Sequence, residues 1–193
     1  MPQLANANAG VVIDRLRAWK SESVTQVIEY RGETTIVVPH RLLLATAEQC
    51  KTDPELNFNQ LSDATCVDRF PNEPRFELNY QLLSIPRLAR IRLRTSVSGQ
   101  QPVIDSLEPV WPGANWMERE IFDLYGIRFD GHPDLRRILM WDEFEDYPMR
   151  KDYVQPDDFE WEPTPHDEVL ARAKQHYTQR PELDGAEKIT AQP

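Results

Sequence analysis

Two carboxylates and a histidine in the second half of the chain are the residues whose types and spacing could do chemistry. Glu120 and Asp123 lie three positions apart, so a helix here would place both side chains on one face. His132 follows shortly after them. Carboxylate pairs and an imidazole are the usual ingredients of a hard-metal site or of general acid–base catalysis. One hypothesis is therefore a stand-alone metal-dependent enzyme that uses these three side chains.

Fixed positive charges near these groups favour a structural interpretation instead. Arg136-Arg137 and Arg150-Lys151 follow the acidic residues along the chain. The planar guanidinium of arginine suits carboxylate partners, so salt bridges within the chain or across an interface explain the mixture of charges. His132 precedes a proline, and a lone histidine beside a turn is more often a hydrogen-bonded strut than a ligand. The side chains that we predict to form paired networks are Glu118, Arg119, Glu120, Asp123, Arg136 and Arg137.

A helix over residues 116–125 is predicted to position the two carboxylates. Asn115 can cap it, with Glu118 three positions later completing a capping box. Gly126 stands where a left-handed C-terminal cap is needed. The apolar spacing indicates which side of the helix is buried. The predicted buried stripe comprises Met117, Ile121, Leu124 and Tyr125.

Apolar patterns before this helix predict an α+β fold, a two-layer sandwich. Helices are predicted over residues 9–20 and 40–51, and strands over residues 24–30, 34–38, 60–67, 75–85 and 88–97. The order α-β-β-α-β-β-β indicates a mixed sheet with helices on one face, followed by the helix over 116–125 and an extended tail. The predicted divisions are a sandwich domain (1–108), a segment packed on it (109–153) and an acidic, proline-rich tail (154–193).

The last two strands of the sandwich also indicate their own register. If Pro86-Arg87 forms the turn between them, Leu82 pairs with Ile91, and the apolar side chains share one face. The other face carries a basic stripe, which consists of Asn79, Gln81, Arg90, Arg92 and Arg94. One face of an antiparallel sheet is often wet, so a solvated face is favoured over a docking site for an acidic partner.

Composition excludes several classes of function. The chain has 193 residues and a formal net charge of -10, so it repels a phosphate backbone, and no nucleic acid is expected as a partner. Its apolar stretches are far shorter than the roughly 20 residues of a spanning helix, so membrane contact is expected only through partners. Residues 1–10 contain no basic residue and no apolar core of a secretory signal, so we expect the protein in the bacterial cytoplasm. Cys50 and Cys66 form no CxxC pair, which suits neither an iron–sulfur cluster nor structural zinc.

The tail over residues 154–193 is predicted to dock on a partner. Its composition offers too little apolar area to offset the cost of ordering it alone. Thr164 can cap a helix that begins at Pro165, and Phe159 and Trp161 could anchor the segment in a partner's pockets. A solubilising tail without a binding role is the alternative.

The segment over residues 109–152 resembles a known family. Its motif reads Glu118-Arg119-Glu120, then Asp123-Leu124-Tyr125, His132, Arg136 and Ile138-Leu139, and the runs Gly131-His132-Pro133-Asp134-Leu135 and Arg150-Lys151-Asp152 are similar as well. These residues look like the thirty-kilodalton subunit of respiratory NADH:quinone oxidoreductase, or complex I. One departure is visible, because Asp146-Tyr147 stand where that family usually has Gly-His.

The resemblance implies a scaffold without catalytic residues in the peripheral arm of that enzyme. It implies no cofactor in this chain, with FMN and iron–sulfur clusters held by partner subunits. The implied partners are the quinone-site, D-type subunit of forty-nine kilodaltons and the cluster-bearing, B-type subunit, on the cytoplasmic side of the bacterial inner membrane. The equivalent subunit of a ferredoxin-dependent dehydrogenase or of a membrane-bound hydrogenase stays open. The residues implied for the partner interface are Glu118, Arg119, Glu120, Asp123, His132, Arg136, Arg137, Arg150, Lys151 and Asp152.

Overall fold

A computed structural model of the chain describes residues 9–144 and 146–154. The helices are α1 (Ala9–Trp19), α2 (Leu43–Thr52) and α3 (Ala114–Tyr125). The strands are β1 (Gln26–Tyr30), β2 (Glu33–Val37), β3 (Gln60–Asp68), β4 (Phe76–Ser84), β5 (Ala89–Val97), β6 (Val103–Asp105) and β7 (Arg128–Asp130). Two short 3-10 turns, Ser21–Ser23 and His40–Leu42, precede β1 and α2.

Five strands form the main sheet, in the order β1-β2-β5-β4-β3. β2 and β5 pair in parallel and the other neighbours are antiparallel, so the sheet is mixed. Arg31 and Gly32 form the two-residue turn between β1 and β2, and both have positive φ, as a type I′ hairpin requires. The predicted order of elements and the α+β class are confirmed.

One face of the main sheet is buried because side chains alternate between the two faces along each strand. On β4, Phe76, Leu78, Tyr80 and Leu82 are fully buried, whereas the residues between them are half-buried. All three helices pack on the buried face in one core, as the two-layer sandwich predicts. Their contributions include Val12 and Leu16 from α1, Leu43 and Ala47 from α2, and Ala114 and Ile121 from α3.

The predicted register of β4 and β5 is confirmed, but the connection between the strands is longer than predicted. Leu82 lies opposite Ile91, as the pattern indicated. Pairing ends at Ser84 and Ala89, so residues 85–88 form the turn rather than Pro86-Arg87 alone.

The open face of the sheet carries ion pairs that neutralise much of the basic stripe. Arg92 donates to the Glu33 carboxylate at 2.7 Å, and Arg94 lies 3.3 Å from that of Glu77. Arg94 also donates to the side-chain oxygen of Asn79 at 3.2 Å. These contacts support the interpretation of a solvated sheet face.

The structure contains a second sheet, of two strands, that the sequence did not predict. β6 and β7 pair in parallel, with Ile104 opposite Phe129, and α3 lies between them along the chain. Strands of three residues are too short to show an alternating pattern, so periodicity cannot reveal them. The βαβ arrangement fixes both ends of α3.

The described residues up to Tyr153 belong to one compact unit. None of the helices in that described part is long and apolar enough to cross a bilayer. The predicted tail helix from Pro165 and the anchors Phe159 and Trp161 lie outside the described residues.

Candidate functional site

α3 begins at Ala114, earlier than predicted, and the predicted capping box is wrong. Gly113 is the N-cap residue, and no side chain caps the helix. Glu118 instead turns into the interior, where it accepts hydrogen bonds from Ser106 Oγ at 2.6 Å and from the Leu107 amide at 2.7 Å. The residues that follow β6 thus supply the donors that the capping box would have drawn from the helix itself.

Glu118 is a carboxyl group that is fully buried and has no salt bridge among the described residues. Burial raises its pKa to about 7, although the hydrogen bonds from Ser106 and Leu107 act in the opposite direction. The nearby charge of Glu108 raises the pKa further. Glu118 therefore changes its protonation state near neutral pH.

Asp123 organises the chain beyond β7 around the end of α3. Its fully buried carboxylate accepts from Arg137 Nη1 at 2.7 Å and from the amides of Ile138, Leu139 and Met140 at 3.0, 2.7 and 2.9 Å. Burial alone raises the pKa of Asp123, but the three amides and Arg137 outweigh it and hold the pKa below its usual range. The carboxylate therefore stays charged and pins residues 138–140.

The predicted pairing of Arg119 with a carboxylate is wrong. Its guanidinium is nearly buried and donates to the backbone carbonyls of Arg136 and Arg137 at 3.2 and 3.1 Å, and it lies 5.5 Å from the Trp116 ring centroid. Carbonyl oxygens take the place of the expected carboxylates. Arg136 pairs at the surface with Asp134 at 2.9 Å. Of the predicted networks, the Asp123–Arg137 pair is the one that the structure forms between motif side chains.

The predicted left-handed cap of α3 at Gly126 is confirmed, with φ of +71°. A second constraint acts at this position, because a Cβ atom there would lie 2.4 Å from the ring of Tyr147. Close packing of Tyr147 over the end of α3 thus requires glycine for space as well as for backbone conformation.

Tyr147 belongs to an alternating stack of arginine side chains and aromatic rings. Arg137 and Arg150 lie 5.4 and 4.6 Å from its ring centroid. The stack continues in both directions with separations of 4.9 to 5.6 Å. Its order is Phe144, Arg137, Tyr147, Arg150, Phe76, Arg75 and Phe70. We call this row the arginine–aromatic stack.

Arg75 joins the end of the described segment to the β3–β4 hairpin. Its guanidinium donates to the carboxylate of Asp68 at 3.0 and 2.8 Å and to that of Asp152 at 2.8 Å. The Lys151 amide also donates to Asp68 at 2.8 Å. Burial works against ionisation of Asp68, but Arg75 and the amide donors lower its pKa to about 2. Asp152 and the backbone of Lys151 therefore act within the chain, while the Lys151 side chain is exposed.

The structure does not bring the predicted metal ligands together. Glu120 is exposed, whereas the carboxylate oxygens of Asp123 are occupied inside the protein. His132 accepts the Asp134 amide at Nδ1 and contacts the Asn115 carbonyl through Nε2, both at 3.1 Å, as a hydrogen-bonded strut would. Within the described ranges, no group of three or more His, Cys, Asp or Glu residues could hold a metal ion.

Large apolar side chains are exposed on α3 and on the chain that Asp123 and Arg119 bind. Trp116, Leu139 and Trp141 are 66, 61 and 45 % exposed, and we call them the docking surface. Arg119 links the first of them to the chain that carries the other two. Three exposed acidic residues lie within four positions of them in sequence, namely Glu120, Asp142 and Glu143.

Comparison with known proteins identifies the family. The family described as "Respiratory-chain NADH dehydrogenase, 30 Kd subunit" matches residues 36–159, which is more than half of the chain. The chain belongs to this family. The resemblance noted from the motif is thereby confirmed. Relatives named as the C-type subunit of NADH-quinone oxidoreductase include that of Geotalea uraniireducens, 41% identical over 153 residues that cover 79% of this chain and 91% of the relative. The protein of the same name from Moorella thermoacetica is 47% identical over 118 residues, or 61% and 78% of the two chains.

Solved structures agree on the fold of this family. A trypsin-resistant fragment of Nqo5 is 28% identical with a TM-score of 0.58, and the match covers 66% of this chain and 99% of the fragment. A chain of an archaeal membrane-bound sulfane sulfur reductase has a TM-score of 0.64 and covers 94% of this chain and 96% of its own. Its 20% identity shows a shared fold alone.

Sequence reasoning assigned no role to five residues that contribute to the site. Ser106 and Leu107, which bind Glu118, follow a strand too short to be predicted. Arg75 and Asp68 carry opposite charges at the two ends of the β3–β4 connection, and a predicted hairpin between these strands would have brought them together. Tyr147 was visible only as a departure from the family pattern.

Proposed function

We propose that the chain is a non-catalytic scaffold subunit in the peripheral arm of a proton-pumping NADH:quinone oxidoreductase. In this role it braces the neighbouring subunits, so that electrons from NADH reach quinone through cofactors that those subunits hold. Its partners are the D-type subunit, which contributes to the quinone site, and the cluster-bearing, B-type subunit. The complex lies on the cytoplasmic side of the bacterial inner membrane, and this chain reaches the membrane through its partners.

The docking surface carries this proposal. Large apolar side chains exposed together are costly in water and typical of protein interfaces, particularly when they are aromatic. Leu139 is exposed although its backbone is held in place. Its amide donates to the buried carboxylate of Asp123. A buried charge that holds an exposed apolar segment in one shape is what a binding surface requires, and it serves no reaction of its own.

The chemistry of the cysteines supports a chain that holds no cluster. Cys50 lies on α2 and Cys66 on β3, and both thiols are free and buried. Burial raises the pKa of each thiol to about 12, and an iron–sulfur cluster needs about four ligands, most of them cysteines, whereas this chain has two cysteines on separate elements. We therefore assign the iron–sulfur clusters to partners, and FMN is assigned to a partner because the family resemblance implies it.

NADH is the electron donor that the comparisons favour. The relatives that are 41 to 47% identical are named as the C-type subunit of NADH-quinone oxidoreductase. The likeness to the archaeal sulfane sulfur reductase, at 20% identity, bears on the fold alone. We therefore favour NADH over the electron donors of a ferredoxin-dependent dehydrogenase or a membrane-bound hydrogenase.

Purification of the tagged chain from detergent-solubilised membranes tests the proposal. The wild-type chain is expected to carry the quinone-site and cluster-bearing subunits with it, together with NADH:quinone activity. Leu139→Glu places a charge in the docking surface and should reduce the amount of assembled complex, with activity falling in proportion. Leu88→Glu is the matched control, because Leu88 is 64% exposed on the β4–β5 turn and outside the docking surface. Normal assembly of Leu139→Glu, or activity lost from fully assembled complex, would contradict a scaffold role for this surface.

A further inference from the structure

The main sheet has two outer strands, and their free edges differ. β3 forms one edge, where α3 packs against the strand and a β-bulge lies between Leu61 and Asp63. Covering helices and bulges are means by which proteins prevent an outer strand from pairing with another chain. The β3 edge is therefore protected.

β1 forms the other edge and has neither form of protection between Gln26 and Tyr30, although just before it the Thr25 amide also donates to the Val37 carbonyl, as in a bulge. It pairs with β2 without a register shift from Gln26 to Tyr30, and no strand in residues 9–144 and 146–154 pairs with its outer side. The sequence of β1 contains no proline and no lysine, the residues that commonly block an edge. Tyr30 at its end is 67% exposed. The edge is thus open to a further strand.

The turn after β1 determines which backbone groups point outward. A two-residue type I′ turn makes Tyr30 and Glu33 a hydrogen-bonded pair, and every second residue of β1 repeats that orientation toward β2. Val27 and Glu29 lie between those residues, so their N–H and C=O groups face away from the sheet. The Glu29 side chain is exposed and forms no salt bridge with the described residues.

We propose that β1 receives an extended strand of a partner subunit, which carries a basic side chain opposite Glu29. The inference rests on the proposed function, because the partner is another subunit of the same enzyme. Hydrogen bonds to the outward groups of Val27 and Glu29 supply affinity, and alternate side chains supply specificity. The charge of the occupant follows from the acid at this edge and from the net charge of -10 on the chain.

Hydrogen exchange of two amides tests the proposal on the wild-type protein. The amides of Val27 and Glu29 should exchange rapidly in the isolated full-length chain and at least about a hundredfold more slowly in the purified complex. Rapid exchange in both states would overturn the proposal. Slow exchange in both states would overturn it too, because residues 1–8, residues 155–193 or a second copy of the chain would then occupy the edge.

A pair of substitutions separates the backbone from the side chain at this edge. Val27→Pro removes an outward N–H group, and proline is tolerated on an outer strand where that group bonds nothing inside the sheet. Val27→Ala loses similar packing but keeps the N–H group. The yield of complex purified through Val27→Pro should be at least about tenfold below that through Val27→Ala. Equal yields would contradict strand addition, whereas a wild-type chain that purifies without any partner subunit would overturn the proposed function and this inference together.

Discussion

Individual buried carboxylates in this protein show opposite electrostatic behaviour within five residues of one helix. Asp123 is surrounded by donors and an arginine, so its pKa is lowered, whereas Glu118 has two neutral donors and a pKa of about 7. The difference arises because hydrogen bonds from four groups offset burial at Asp123, and two do not at Glu118. We therefore expect substitutions of Glu118 and of Asp123 to change the free energy of unfolding in different ways.

Glu118 should make the folded protein less stable as pH rises. Because its folded pKa of about 7 exceeds the ordinary 4.5, the folded state binds more protons than the unfolded chain between those values. The stability advantage of wild type over Glu118→Gln should be largest below pH 4.5 and fall by about 3 kcal/mol as pH rises past 7. Urea unfolding across this range measures it. Glu120→Gln, on the exposed side of the same helix, is the control, and parallel pH profiles for wild type and Glu118→Gln would contradict the expectation.

Asp123→Asn should be far more damaging than Asp134→Asn, although each residue accepts a similarly short bond from an arginine. Asp123 is fully buried and Arg137 is half-buried, so the loss of this carboxylate leaves the arginine uncompensated and weakens three amide hydrogen bonds, at a cost of roughly 3 to 5 kcal/mol. The Asp134–Arg136 pair is exposed, and such pairs contribute about 0 to 1 kcal/mol. Urea unfolding at neutral pH compares the two variants. Equal losses would show that burial does not decide the strength of these pairs.

Sequence alone could identify the Asp123 region but not its chemistry. The helix, the acid and the two arginines were visible, and so was salt bridging as the general explanation. Which arginine pairs with which acid depends on the fold of residues 128–140, a segment without periodic apolar pattern. Arg119 shows the limit most clearly, because backbone carbonyls that satisfy a guanidinium leave no mark in the sequence.

At the scale of elements, α3 is the helix that carries the site, and its two ends are built differently. Its start has no side-chain cap, whereas its end combines a left-handed glycine with the ring of Tyr147. The glycine signal was strong enough to predict the C-terminal end. The start was predicted two residues late, because Asn115 looks like a cap but lies inside the helix.

Gly126→Ala should therefore destabilise the protein, and Gly113→Ala should not. Alanine at position 126 costs roughly 1 to 2 kcal/mol for its left-handed backbone and a further amount for displacing Tyr147. Gly113 has an ordinary φ of -64° and nothing within 4 Å of an added Cβ. Unfolding measurements should also show that Tyr147→Ala reduces the cost of Gly126→Ala. An unchanged cost in that background would contradict a clash with the tyrosine ring.

At the scale of the whole molecule, Arg75 and the arginine–aromatic stack connect the sandwich to the last described residues. Asp152→Asn should weaken this connection locally, because Arg75 keeps Asp68 as a second partner. We expect faster hydrogen exchange of the Tyr153 and Arg150 amides with a small change in the free energy of global unfolding. Asp142→Asn, at an exposed position, should change neither. Exchange as slow as in the wild type would show that the stack holds this segment without Asp152.

The architecture of the sandwich was the part that sequence predicted best. Periodic apolar residues in long strands, such as the alternation along β4, determine both the sheet and its buried face. The parallel contact between β2 and β5, and the closure of Arg75 on Asp152, join residues far apart in sequence. Local sequence patterns cannot predict such long-range contacts, and only the three-dimensional structure shows them.

The closure between Arg75 and Asp152 also bears on the order in which the chain folds. The two residues are 77 positions apart, and ring closure over that length loses more entropy than formation of the β1–β2 or β4–β5 hairpin. We expect the hairpins to form early and this contact to form among the last. Leu139 and Trp141 of the docking surface lie on the chain that leads to Asp152, so we expect a newly made chain to hold them in their final place relative to the sheet only late in folding. Assembly can then select completed molecules and pass over immature ones.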